Sequence, residues 1–181
     1  TITFIGSDAA TFKASENSKY NIVLNDSDKE LTFIETKANV TKLTVTNAAA
    51  LKFQCDADIG TFSNTADSLK LEIGYIDASD SSNNKSAKVT INQLDGNTLN
   101  SKEVVINSEL VFTQTSEGVT LGSNDSEITI AGSITAANDI TILGKLTSVE
   151  VDEANKATLP KITAGTGFAI NFGSTTSDQV T

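Results

Sequence analysis

Tripeptides in which a threonine separates two aliphatic residues recur along most of the chain, and they restrict its fold more than any other feature. Leu43-Thr44-Val45, Val89-Thr90-Ile91, Val119-Thr120-Leu121, Ile128-Thr129-Ile130 and Ile140-Thr141-Ile142 each place two apolar side chains on one face and a hydroxyl on the other. A period of two marks a strand buried on one side, because successive side chains of extended backbone point to opposite faces. These residues are mostly β-branched, which suits a pleated surface. The run Ala48-Ala49-Ala50 is too short to stand alone as a helix. The expectation is an all-β chain.

Residues 2–5, 20–24, 31–34, 40–45, 51–55, 69–73, 87–91, 104–106, 110–112, 119–121, 127–130, 140–143, 149–151, 161–163 and 168–172 read as strands. Polar turn clusters such as Asn25-Asp26-Ser27-Asp28, Asp95-Gly96-Asn97 and Gly122-Ser123-Asn124-Asp125 lie between them. Two architectures take many short strands with polar turns. A β-sandwich of surface-layer type prefers longer strands and a large central aromatic. A parallel β-solenoid holds two or three short strands in each coil of about twenty residues. With no Trp and only two Tyr, the chain fits the solenoid better, as one elongated domain spanning residues 1–181 or as a fragment of a longer one. Plausible coils begin near Tyr20, Val40, Ile59, Leu69, Ala87, Val104, Val119, Ile140 and Leu159, at irregular spacing.

Composition narrows the function classes. The net charge is −10 and all 13 basic residues are lysine. Without arginine, the usual bidentate ligand of phosphate and base edges, nucleic-acid binding is not expected. The lysines are scattered, which argues against a polybasic membrane patch, and no apolar run reaches spanning length. The opening Thr1-Ile2-Thr3-Phe4-Ile5 reads as strand, so any signal peptide is expected to have been removed already. Cys55, the single cysteine, falls in phase with Leu51 and Phe53 and is expected to face the core as a small hydrophobe.

Two segments carry a resemblance to a family. Residues 40–53, from Val40-Thr41-Lys42-Leu43 to Leu51-Lys52-Phe53, and residues 128–142, from Ile128-Thr129-Ile130 to Ile140-Thr141-Ile142, look like rungs of bacterial autotransporter passenger domains and related β-helical adhesins. The likeness is one of texture over most of the chain. It implies a right-handed parallel β-helix, exported and displayed at the cell surface. No C-terminal segment has the alternating, aromatic-girdled strands of a membrane barrel.

The inventory for catalysis is thin. There is no histidine, which removes the usual general base, the Ser-His and Cys-His pairings and most zinc sites. Gly165-Thr166-Gly167 lacks the further glycine and helix of a dinucleotide fingerprint and reads as a turn. Paired carboxylates could in principle cleave polysaccharides, but without Arg or Trp an enzyme is not expected. Calcium is the one cofactor the residue types suggest, with Asp26 and Asp28, or Asp77 and Asp80, as ligands. The competing reading of each pair is a turn whose side chains bond nearby backbone. Residues 77–85 lack an apolar anchor except Ala78 and read as a projecting loop. Tyr75, Asp77, Asp80, Asn83 and Asn84 are therefore the expected partner-binding residues.

The sequence thus points to a non-enzymatic bacterial surface protein, a rigid solenoid stalk or adhesive module. Its partner would be a protein or glycan of a host or neighbouring cell. The alternative is a self-assembling surface-layer or sheath subunit, with calcium between neighbours.

Overall fold

The computed structural model describes residues 1–6, 8–25, 30–47, 50–66, 68–148 and 160–173. The chain winds into a parallel β-solenoid of about seven turns. Four windings carry two strands each: β1 (Ile2–Phe4) and β2 (Ala10–Phe12), β3 (Lys19–Asn25) and β4 (Glu30–Phe33), β5 (Ala38–Asn47) and β6 (Ala50–Phe53), then β7 (Ala57–Asn64) and β8 (Lys70–Ile73). Three windings carry three: β9 (Lys88–Leu94), β10 (Thr98–Leu99) and β11 (Glu103–Ile106); β12 (Glu109–Phe112), β13 (Val119–Leu121) and β14 (Glu127–Ile130); β15 (Ser133–Ala136), β16 (Ile140–Leu143) and β17 (Lys145–Ser148). The strands β18 (Lys161–Thr163) and β19 (Ile170–Gly173) follow. The first sheet stacks β1, β3, β5, β7, β9, β12, β15 and β18; the second stacks β2, β4, β6, β8, β11, β14 and β17. A third, of β10, β13, β16 and β19, opens between them in the later windings.

The origin of that third side is visible in the earlier strands. In β5 the pairing passes from Val40 opposite Ile59 to Lys42 opposite Thr61, leaving Thr41 and Gly60 outside the ladder. Buried residues there are three apart (Val40 and Leu43, Ile59 and Phe62, Ile91 and Leu94), so the alternation restarts. An interruption of this kind bends a strand. β3, β5, β7 and β9 therefore turn a corner within one strand, and later windings replace the bend with a separate strand. Gly60 permits the corner: a Cβ there would lie 2.5 Å from the Thr41 carbonyl oxygen.

Register continues from winding to winding and builds the core. In the second sheet Leu31, Leu51, Leu71, Val104 and Ile128 face inward at one level, and Phe12, Phe33, Phe53, Ile73, Ile106 and Ile130 at the next. The Phe33 and Phe53 rings stack with centroids 4.7 Å apart and 16° between planes. Cys55 is buried as expected; burial pushes its thiol up to about 11, and it donates to the Thr36 carbonyl. The threonines of the opening motif face outward, and Thr120 and Thr141 align with Thr98 on successive strands of the third sheet.

The coil starts expected near Ile59 and Leu69 share one winding, as do those near Ala87 and Val104. The physical reason is the corner: each winding contains two or three apolar runs, so a run is a side of the coil and not a coil. The expected strand 149–151 lies outside the described residues. Among the described residues the helical pieces are two 3-10 turns, Ser81–Asn83 and Asp95–Asn97.

Candidate functional site

Most windings repeat at about twenty residues, as with Phe33 opposite Phe53 and Phe53 opposite Ile73. The next step, Ile73 to its partner Ile106, takes 33. The excess is residues 74–87, a loop leaving the corner between β8 and β9. Gly74 starts it at φ +74°, where a Cβ would also press on the Ser108 side chain at 2.8 Å. A glycine is required there for conformation and space.

The base of the loop is tied twice. Tyr75 and Lys85 exchange backbone hydrogen bonds of 2.8 Å each, forming an antiparallel bridge. The following winding holds both ends, since Asn107 Nδ2 donates to the Gly74 carbonyl and Ala87 N–H donates to Ser108 Oγ. Beyond that bridge the loop folds on its own side chains. Asp77 Oδ1 accepts from Ser79 N–H, Ser79 Oγ and Asp80 N–H. Asp80 caps the turn Ser81–Asn83 by accepting from Ser82 N–H and Oγ. Asn83 Nδ2 donates to both carboxylates, at 3.1 Å to Asp77 and 3.4 Å to Asp80. Asn84 Oδ1 accepts from Asp77 N–H at 2.7 Å.

These bonds favour the ionised acids. Donation from the Ser79 hydroxyl and backbone, with Asn83 and Asp80 N–H, holds Asp77 down at about 2. Ser82, through its hydroxyl and backbone, lowers Asp80. Beyond the Tyr75–Lys85 bridge the loop is therefore a fixed, doubly negative protrusion.

Of the residues singled out from the sequence, the structure gathers Asp77, Asp80, Asn83 and Asn84 into one network and sets Tyr75 half-buried at its foot. The four polar residues spend their side chains on shaping the loop. What the loop offers outward includes Ile76, 50% exposed, with Ala78, Ser79, Ser81 and Ser82. Sequence reasoning missed Ile76 because nothing in the sequence marks an aliphatic residue beside a strand as exposed. Asp26 and Asp28 lie outside the described residues. Among the described residues no group of three or more acidic, cysteine or histidine side chains is placed to hold a metal ion.

Two other concavities lie on the outer surface. One follows the corner at Thr41, Gly60 and Asn92, with about 280 Å³ of space. The other, about 290 Å³, lies on the second sheet around Ala50 between Glu30 and Lys70. Its residues were not foreseen, because outward lysines and glutamates become neighbours only once the windings are in register. No family model matches the chain, and no curated protein or solved structure shows significant similarity to it.

Proposed function

We propose that this chain is a non-enzymatic bacterial cell-surface protein whose solenoid carries the loop 74–87 as a recognition element for a protein or glycan on another cell. The observation that supports it most is the loop itself: one winding is lengthened to 33 residues, and the insertion is braced internally and by Asn107 and Ser108. A loop ordered before it meets its partner loses less entropy on binding. Loops over a rigid scaffold are where binding residues concentrate. The acidic surface and the adhesin-like texture of residues 40–53 and 128–142 accord with display outside the cell.

The test is replacement of residues 77–85 by a short Gly-Ser turn, with the variant and parent coated on beads and scored for cell adhesion and on a glycan array. The reading expects adhesion to be lost while the melting temperature stays. Unchanged adhesion by the folded variant refutes it.

A self-assembling subunit is the second reading, favoured by one specific observation. Ile130, Leu146, Ile162, Ile170 and Phe172 surround an apolar hollow at the last described windings, where Phe172 is 50% exposed. Light scattering with and without calcium discriminates: ordered sheets or fibres support assembly, and a stable elongated monomer supports the recognition module.

A further inference from the structure

The hollow on the second sheet has features that a solvated strand surface does not require. Ranks of outward side chains run across the strands there. Glu30, Ala50, Lys70 and Glu103 follow one another at one level, and Thr32, Lys52, Glu72 and Val105 at the next. Neighbouring strands are about 4.8 Å apart, so long side chains in a rank normally cover the sheet between them. Ala50 breaks this cover and leaves a space of about 290 Å³.

The walls of the space are braced. Lys52 Nζ lies 2.7 Å from Glu30 and Lys70 Nζ lies 2.9 Å from Glu103. Among the described residues Glu72 stands between these pairs without a hydrogen bond or ion pair of its own; Lys52 acts on it through space but is bonded to Glu30. It is half-buried, and desolvation raises its pKa. Its oxygens are not among the buried unpartnered atoms, so they reach solvent and keep acceptor capacity for a ligand's donors.

The residues also restrict what can enter. An anion meets three carboxylates against two ammonium groups, and a cation gains only the one net negative charge left after Lys52 and Lys70 pair with Glu30 and Glu103. The paired groups keep spare capacity, since a carboxylate offers about four acceptor sites and a lysine three donors. A ligand that donates to Glu72 and accepts from the lysines, with no net charge, satisfies all of them. Vicinal hydroxyls do this. We infer that the hollow around Ala50 is a subsite for one ring of a neutral saccharide, with Glu72 as its central acceptor and Lys52 and Lys70 as donors. Its size lies near the lower end of ligand pockets, which suits a single ring of a chain lying across the open face. Val105 and Ala50 supply aliphatic surface for the C–H side of the ring.

This site does not depend on the recognition role of the loop, and the two tests separate. Amide NMR spectra of the intact 181-residue chain are recorded with gluco-, galacto- and manno-configured disaccharides at millimolar concentration. Glucuronate and glycine betaine serve as charged controls. Perturbations are expected around residues 50, 52, 70, 72 and 105 with at least one neutral sugar. Glu72→Gln should weaken that binding at least about tenfold, as for loss of a charge-assisted hydrogen bond. Ala50→Leu should abolish it by filling the space, and Glu72→Gln carries the test if Ala50→Leu fails to fold. The loop-replaced chain should bind the sugar like the parent. Absence of shifts at these amides with every neutral sugar overturns the proposal. So does unaltered binding by either variant, or stronger binding of a charged control at the same amides.

Discussion

Truncating Phe53 to alanine tests the stacked core most directly. The side chain is 1% exposed and lies between Phe33 and Ile73 at the same level of the adjoining windings. Removing a buried phenylalanine costs about 3–5 kcal/mol, depending on how far the surroundings can close. Here closure is opposed by the ladders, which hold β4, β6 and β8 at strand spacing, so a cost of about 4 kcal/mol is expected. For a chain of this length each kcal/mol lowers the melting temperature by about 2–4 °C, giving a drop of roughly 8–16 °C. Because a solenoid is stabilised largely between nearest neighbours, the damage should be local. Thermal circular dichroism gives the size, and hydrogen exchange gives the place: amides of β4, β6 and β8 should exchange faster, and those of β16 much less so. A drop of under about 3 °C would mean that the phenylalanine rank does not bear on stability as its packing implies.

Two further outcomes follow from close contacts and from charge. Gly132→Ala places a Cβ 1.8 Å from the Ser108 backbone oxygen, whereas Gly96 has nothing within 4 Å but lies at φ +72°; the first variant should lose at least about 3 kcal/mol or fail to express folded, Gly96→Ala should lose only the left-handed backbone cost of about 1–2 kcal/mol, and matched urea melts of both check this. The Asp77 and Asp80 acids are lowered in the folded loop, so their contribution is complete above the ordinary carboxylate range and is lost as pH falls toward about 2. Pepsin cleavage within residues 76–84 should therefore increase between pH 4 and pH 2 ahead of cleavage elsewhere, and Asp77→Asn should show the increase already at pH 4.

Strands whose inner residues are large and alternate in sequence were legible: β9, β13, β14 and β16 follow directly from their apolar–Thr–apolar runs. Those that failed to stand out have identifiable reasons. In β7 the apolar residues Ala57, Ile59 and Phe62 are spaced two and then three apart, because the strand turns the corner at Gly60. In β15 the inner residues are Ile134 and Ala136, and the small alanine gives little apolar signal although it packs opposite Phe112. β10 has two residues, too few for any period. The loop was legible as a break in apolar residues, but its internal order was not, since the hydrogen bonds that Asp77 and Asp80 accept depend on turn geometry. Glu72 and Ala50 could not be singled out at all: their meaning comes from partners about twenty residues away, and a lengthened winding hides that spacing.

The loop and one wall of the hollow meet on β8, and their positions have a common cause. Each winding of a solenoid rests on its two neighbours, so inserting residues at a corner leaves every ladder intact. The remaining cost is closure of a longer loop, which grows only with the logarithm of its length. Inserting residues inside β8 would instead shift Leu71 and Ile73 off their partners on β6 and β11 and turn the inner face outward. Variation is thus confined to corners and to outward positions such as 50 and 72. β8 supplies both, with Glu72 on its outer face and Gly74 just beyond its end. Substitutions can accumulate there without disturbing the column of Leu51, Leu71 and Val104 behind them.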